Sequence, residues 1–265
     1  MSFKEETIDV DGASVRVWRA GSGPKLTFLA GFAGLPKWTP FLDRLAEKRS
    51  LVVPSLPGFP GAAANHNDLD DHLDWIVATR RILIEADATG GELVGSSVGG
   101  ALAAEIAALW PESVSRLTLI APLGMFVDDD PTTDPWAQRG DKIPPLMAED
   151  AELFKALRAL PEGTDATEWK IMQSRADAAG ARLLWPLGDT RLAKRLKLVK
   201  APTLLVWGAA DKVVPTSYAR HFTNRLGGPT QTREIAGAGH LAWLDKPDEV
   251  AEAIFSAAAG DRVAA

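Results

Sequence analysis

Glu92-Leu93-Val94-Gly95-Ser96-Ser97-Val98-Gly99-Gly100 runs without a break into Ala101-Leu102-Ala103-Ala104-Glu105-Ile106-Ala107, and this stretch decides the fold. An apolar run that meets Gly-x-Ser-x-Gly and passes into an alanine-rich helical pattern reads as strand, sharp turn and helix, with Ser97 at the apex of the turn. Gly95 and Gly99 fit that geometry because neighbouring backbone must pass close to both, and a side chain there would collide. A serine held at such an apex is placed to act as a nucleophile.

Working outward, the same strand-then-helix rhythm appears on both sides. Upstream, Asp11-Gly12 between residues 6–10 and 13–20 is a two-residue hairpin signal, so the chain is expected to open with an antiparallel hairpin. Leu26-Thr27-Phe28-Leu29 is a short buried strand that leads into Ala30-Gly31-Phe32-Ala33-Gly34. Trp38, Phe41, Leu42 and Leu45 then follow at helical spacing. Leu51-Val52-Val53 is another strand, closed by Pro54 and a Pro/Gly loop. Residues 69–86 read as a helix with Leu73, Ile76, Val77, Ile82 and Leu83 on its buried side. Downstream lie a strand at 117–120, one at 203–207, a helix at 217–226, a strand at 230–235 and a final helix from Pro247. This alternation predicts an α/β fold, a mostly parallel eight-stranded sheet covered by helices on both faces. Between 122 and 200 the strand signals stop, and short helical patterns appear at 148–160, 166–179 and 190–198. The expected organisation is a core of residues 1–122 and 201–265 with a helical cap insertion at 123–200.

Composition narrows the classes of function. The 265 residues suffice for one large domain, and 46% hydrophobic with 24% charged residues is ordinary for a globular chain. A net charge of −6 gives no basic face for nucleic acid or anionic membrane. With no cysteine, disulfides, thiolate metal sites and a cysteine nucleophile are excluded. No apolar run approaches the ~18 residues of a membrane span, and the acidic start Met1-Ser2-Phe3-Lys4-Glu5-Glu6 does not read as a signal peptide. A cytoplasmic location is therefore expected. Neither a metal nor a cofactor is expected: there is no His-Glu-x-x-His, and Gly21-Ser22-Gly23-Pro24 precedes a strand where a phosphate loop would follow one.

A serine hydroxyl is a weak nucleophile until a base within hydrogen-bond reach takes its proton and a third group orients that base. Asp211, beyond the strand ending at Trp207, and His240, beyond the strand ending at Ile235, are candidates in the order Ser, Asp, His. Asp211 can also be read as a turn-forming residue, and Asp128, Asp129 and Asp130 could offer another carboxylate. His66 and His72 sit in or beside an acidic stretch read as exposed, and His221 is read on a helix surface.

At these residues the chain resembles the α/β-hydrolase fold superfamily. Gly95-Ser96-Ser97-Val98-Gly99, Trp207-Gly208-Ala209-Ala210-Asp211-Lys212-Val213-Val214-Pro215 and Gly237-Ala238-Gly239-His240 look like its three catalytic segments, and the insertion corresponds to its variable cap. The resemblance implies that His240 takes the Ser97 proton and that Asp211 fixes the imidazole tautomer. It also implies an oxyanion hole from the backbone N–H groups of Val98 and Phe32. Many relatives carry His-Gly where this chain has Ala30-Gly31, which bears on how that loop is oriented.

Within the superfamily, a hydroxyl at position 97 removes dehalogenases and epoxide hydrolases, which use a carboxylate nucleophile, and Tyr218 lies outside the cap. Hydrolysis of a small hydrophobic carboxylic ester is the expected activity. The alternatives are carbon-carbon bond hydrolysis of the meta-cleavage type, perhydrolysis, or a hydrolase fold that binds a small hydrophobic ligand without turning it over. The meta-cleavage enzymes commonly place Asn before the nucleophile and Trp after the His, where this chain has Ser96 and Leu241. Arg182 could still bind a substrate carboxylate or simply be solvated. Trp38, Met125, Phe126, Trp136, Trp185 and Trp243 are the candidates to line an apolar substrate pocket, with Trp169 and Met172 beside them.

Overall fold

The computed structural model describes residues 2–32, 34–184 and 189–263. The Asp11-Gly12 turn joins β1 (Lys4–Val10) to β2 (Ala13–Ala20) in an antiparallel hairpin, with Val10 opposite Ala13. β3 (Lys25–Leu29), β4 (Ser50–Pro54), β5 (Glu92–Ser96), β6 (Arg116–Ile120), β7 (Thr203–Gly208) and β8 (Thr230–Ile235) follow. Together they form one sheet in the order β1-β2-β4-β3-β5-β6-β7-β8. Only β2 runs against the rest; β1, antiparallel to β2, shares the direction of the other six strands. The central strands carry near-continuous apolar runs because both of their faces are covered: every residue of β5 and β7 is buried.

The covering helices are α1 (Pro40–Ala46), α2 (His72–Glu85), α3 (Ser97–Leu109), a short α7 (Tyr218–Thr223), a single turn α8 (Ala242–Asp245) and α9 (Pro247–Val263). α3 is buried nearly all round, which accounts for its alanine content: small side chains let it sit close to the sheet.

α2 differs from its expected phase. It starts at His72, where Asp71 and Asp74 form a reciprocal capping box. Its buried face is Trp75, Ile76, Thr79, Ile82 and Leu83, while Leu73 and Val77 are exposed at 59% and 46%. The indole of Trp75 sets the face that packs, and a tally of aliphatic spacing misses it.

Between β6 and β7 no strand occurs among the described residues. α4 (Pro144–Met147), α5 (Ala151–Arg158) and α6 (Ala166–Leu184) occupy this segment. The stretch 190–198, expected as a helix, is two 3-10 turns, Leu192–Lys194 and Leu196–Leu198. Buried Leu192 and Leu196 give it the helical spacing. Arg191, near the start of the expected stretch, is left-handed (φ 59°), so no helix runs through it from Thr190.

Candidate active site

Because β3 lies beside β5, the loop after β3 reaches the turn after β5, and the loops after β7 and β8 complete a cleft at the carboxyl ends of the strands. Ser97, at the start of α3, has φ 54°, an uncommon conformation for a non-glycine residue. The turn is this sharp because its glycines admit backbone. A Cβ on Gly99 would lie 2.3 Å from the Leu29 carbonyl oxygen, and one on Gly95 would lie 2.4 Å from that of Gly99.

The structure brings the three distant side chains together. The Ser97 hydroxyl lies 2.8 Å from His240 Nε2, and His240 Nδ1 lies 3.0 Å from Asp211 Oδ2. The side chains of His240 and Asp211 are fully buried, as is Ser97. The other carboxylate oxygen of Asp211 accepts the N–H groups of Val213 (2.8 Å) and Val214 (3.0 Å), so the carboxylate is fixed at both oxygens. The two loops that carry Asp211 and His240 touch through Gly208, where a Cβ would stand 2.1 Å from the Gly239 carbonyl oxygen. Asp128, Asp129 and Asp130 do not compete for the histidine. Asp130 instead accepts a hydrogen bond from the Ser217 hydroxyl.

Around Ser97, Val98 is the second residue of α3, and the first N–H groups of a helix have no partner within it. Phe32 is buried and left-handed (φ 46°), in the loop directly beside Ser97. That loop is seated by Gly31, whose Cβ would meet the Ser96 carbonyl oxygen at 2.3 Å and Ser97 Cβ at 2.5 Å. Alanine at position 30 is buried there.

The pocket candidates divide. Phe126 and Trp136 line a cavity of about 300 Å³ together with Leu123, Pro135, Ala181 and Leu184. It adjoins the cleft at two points: the Trp136 ring stacks on Phe32 at 5.4 Å, and Leu123 N–H donates to the Ser97 carbonyl. Met125 is buried in the core and is absent from this lining. Trp38, expected in the pocket, is placed elsewhere. It stacks on Phe3 at 4.3 Å, meets Trp18 edge-on, and its indole N–H donates to Asp43. Trp243 does reach a small crevice with Gly31, Phe32 and Leu241, but its main role is structural: its indole N–H donates to the buried Ser96 hydroxyl at 3.0 Å. Trp185 lies outside the described residues. Trp169 caps the Arg158 carbonyl of α5.

Arg182 is not aimed at the cleft. It donates to the carbonyls of Leu69 and Asn67 and pairs with Asp70. One turn-pair earlier on α6, Arg175 donates to Gly58 and Ala62, so α6 grips the 58–70 loop with two arginines. His66 and His72 correct the expectation of exposure. His66 is 4% exposed, and its desolvation, with Arg175 and Arg182 nearby, holds its pKa below the usual imidazole value. His72 Nε2 lies 3.3 Å from Glu105.

Glu105 was missed by the sequence reading. Fully buried in α3, it accepts two hydrogen bonds from Arg195 at 2.5 Å. Burial pushes its carboxyl up, and the hydrogen bonds and charges of Arg195 and His72 outweigh that, leaving it below the ordinary carboxylate value. A polar residue in an otherwise apolar helix was the available signal.

Among the described residues no group of three or more His, Cys, Asp and Glu side chains could hold a metal ion, and no helix is long and apolar enough to cross a membrane.

Comparison with known proteins agrees with this architecture. The chain is 28% identical over 249 residues to the pimeloyl-[acyl-carrier protein] methyl ester esterase of Xanthomonas oryzae pv. oryzae, covering 88% of this chain and 94% of that protein. It is 27% identical over 261 residues to the dihydrolipoyllysine-residue acetyltransferase component of the acetoin cleaving system of Pseudomonas putida; the match covers 91% of this chain but only 66% of that protein's length. Among solved structures, the 2-hydroxy-6-oxo-6-phenylhexa-2,4-dienoate hydrolase of Rhodococcus sp. strain RHA1 shares the fold with a TM-score of 0.79 at 18% identity, over 97% of this chain and 98% of that one. Residues 28–253 match the description of one family from β3 into α9, and this chain is a member of the alpha/beta hydrolase family.

Proposed function

We propose that the protein is a serine hydrolase that cleaves a small hydrophobic carboxylic ester through an acyl-enzyme on Ser97. The observation that carries the proposal is the hydrogen-bonded line Ser97–His240–Asp211, with contacts of 2.8 and 3.0 Å in a buried cleft. His240 Nε2 accepts the hydroxyl proton as Ser97 Oγ bonds to the ester carbonyl carbon. Asp211 holds the other ring nitrogen and stabilises the imidazolium that forms. The resulting oxyanion is stabilised by the N–H groups of Val98 and Phe32, and such preorganised donors act strongest in a site shielded from water. Collapse of the tetrahedral adduct breaks the bond to the alkoxy oxygen, which leaves with the proton from His240. Water then enters, gives its proton to His240, attacks the acyl carbon and releases the acid, returning the proton to Ser97.

The apolar cavity of about 300 Å³ at Phe126, Trp136, Ala181 and Leu184 is the place for the hydrophobic part of the substrate, with the segment 123–200 acting as its cap. An esterase among the relatives at 28% identity supports the ester reading. Against carbon-carbon cleavage stand the commitments of Arg182, which is tied to the 67–70 loop, and of Ser96 and Leu241, which occupy the positions where those enzymes commonly carry Asn and Trp.

The test is a panel of nitrophenyl esters of increasing acyl length run beside a vinylogous diketone, with absorbance followed. Turnover of esters with no turnover of the diketone is expected. Turnover of the diketone alone would replace the ester reading with the carbon-carbon one, and inertness toward both would leave a binding protein.

A further inference from the structure

Asp245, at the end of α8, uses its carboxylate in a way its place on the surface of a single helical turn does not require. Oδ2 accepts the N–H of Gly239 at 2.8 Å and the N–H of Glu149 at 2.9 Å, and Oδ1 accepts the N–H of Asp150 at 3.1 Å. Gly239 is the residue immediately before His240. Glu149 and Asp150 lead into α5, where Asp150 is the N-cap. One ionised side chain therefore joins the loop of the base to the helical insertion, through hydrogen bonds of the stronger, charge-assisted kind.

Neighbouring contacts make the same junction. On the other side of His240, the Leu241 N–H donates to the Met147 carbonyl at 2.7 Å. Gly239 lies so close to the insertion that a Cβ there would stand 2.9 Å from the Glu149 nitrogen. Lys212, next to Asp211, reaches the Glu149 carboxylate at 3.2 Å. Residues 147–150 are thus the seat against which both the acid loop and the base loop rest. Of these ties, only the Asp245 carboxylate binds insertion and base loop at once through three main-chain donors.

We propose that Asp245 is a positioning residue for His240: it sets where the imidazole stands relative to Ser97 and makes that placement depend on how the helical insertion is seated. The proposal rests on the serine-hydrolase reading above. Without the carboxylate, the N–H groups of Gly239, Glu149 and Asp150 must turn to water, and the base loop loses its tie to α5. The imidazole then samples positions from which it accepts the Ser97 proton poorly. Substrate binding, which uses the cavity at Trp136 and Ala181, is left in place.

The experiment compares wild type with Asp245→Ala and Asp245→Asn. It measures kcat and KM on a nitrophenyl ester, the second-order rate of phosphonylation by a fluorophosphonate, and the low-field proton resonance of His240 Nδ1–H, all normalised to folded protein by circular dichroism. Asn keeps one carbonyl acceptor but opposes an N–H with its own amide, so a graded loss is expected. Asp245→Asn should lower kcat and the phosphonylation rate about 3- to 10-fold and Asp245→Ala about 30- to 100-fold, in line with the cost of ångström-scale misplacement. KM should stay within about threefold and the low-field resonance should broaden or vanish. Variants that melt earlier yet keep wild-type kcat, phosphonylation rate and resonance per folded molecule would overturn the proposal and leave Asp245 a stability residue. If Asp245→Ala does not fold, Asp245→Asn decides alone on the same readouts. Failure of the wild-type protein itself to react with the fluorophosphonate would instead refute the serine-hydrolase reading.

Discussion

Replacing Gly31 by alanine tests the proposed oxyanion loop with a magnitude that comes straight from the structure. A Cβ at this position would stand 2.3 Å from the Ser96 carbonyl oxygen, 2.5 Å from Ser97 Cβ and 2.7 Å from the Ser96 carbonyl carbon, where Cβ contacts under 3.0 Å are essentially never found. Two of these atoms are backbone and the third is the Cβ of Ser97, so no flexible side chain can yield. The loop and the turn must separate by roughly 0.7 Å, the shortfall between 2.3 and 3.0 Å. That movement carries either the Phe32 N–H or Ser97 away from the reacting carbonyl. Loss of one oxyanion donor, or a misplacement of this size, costs about a hundredfold in turnover, or about 2.7 kcal/mol of barrier. The assay is initial-rate hydrolysis of a short nitrophenyl ester at saturating substrate, with thermal melting run alongside because overpacking also costs about 1–3 kcal/mol of stability. Gly140→Ala, where a Cβ would meet nothing within 4 Å, is the matched control and should be neutral. A Gly31→Ala protein whose kcat lies within about threefold of wild type would show that this loop takes no part in stabilising the oxyanion.

Two further outcomes are expected. Arg195→Met strips both guanidinium hydrogen bonds from the buried Glu105 carboxylate, leaving it only the longer contact to His72, and should destabilise by about 3–5 kcal/mol at pH 8, roughly 10 °C in melting temperature. In the wild type the Glu105 pKa is lowered below 4.5, so its contribution is present above that pH and fades as pH falls through the folded value; in the variant burial raises the pKa, so protonation relieves the cost. The gap between the two melting curves should therefore narrow from pH 8 to pH 5, and a gap independent of pH would contradict the assignment. Ala181→Phe places a ring in the cavity of about 300 Å³ and should raise KM about tenfold or more for octanoate esters while acetate esters change less than about threefold; equal effects on both would remove the cavity from the substrate path.

How far the sequence could be read depended on whether the relevant force acts along the chain or across it. The strand-turn-helix at 92–107 is local: apolar run, glycines and alanines carry the whole signal, and β5 and α3 lie where they were expected. That Ser97, Asp211 and His240 would meet was legible because strand order in an open parallel sheet brings successive loops to one edge. What pairs across the fold was not. Trp38 and Trp243 look alike in sequence, yet Trp38 is drawn to Phe3 and Trp18 at the sheet's edge while Trp243 is drawn to Ser96 by one indole N–H. His66 stands in a polar stretch and is buried because α6 folds two arginines over its loop, a contact between residues more than a hundred positions apart. Glu105 reads as a misfit in α3 until Arg195 is seen beside it.

The measurement that bears most directly on the central claim is peptide mapping by tandem mass spectrometry after exposure to a fluorophosphonate. One adduct per chain, on the peptide that contains Ser97, is expected in the wild-type protein. None is expected in Ser97→Ala, and in His240→Ala its rate of formation should be lower by about three orders of magnitude. An adduct on another residue, or labelling of Ser97 that proceeds at the wild-type rate without His240, would contradict the account.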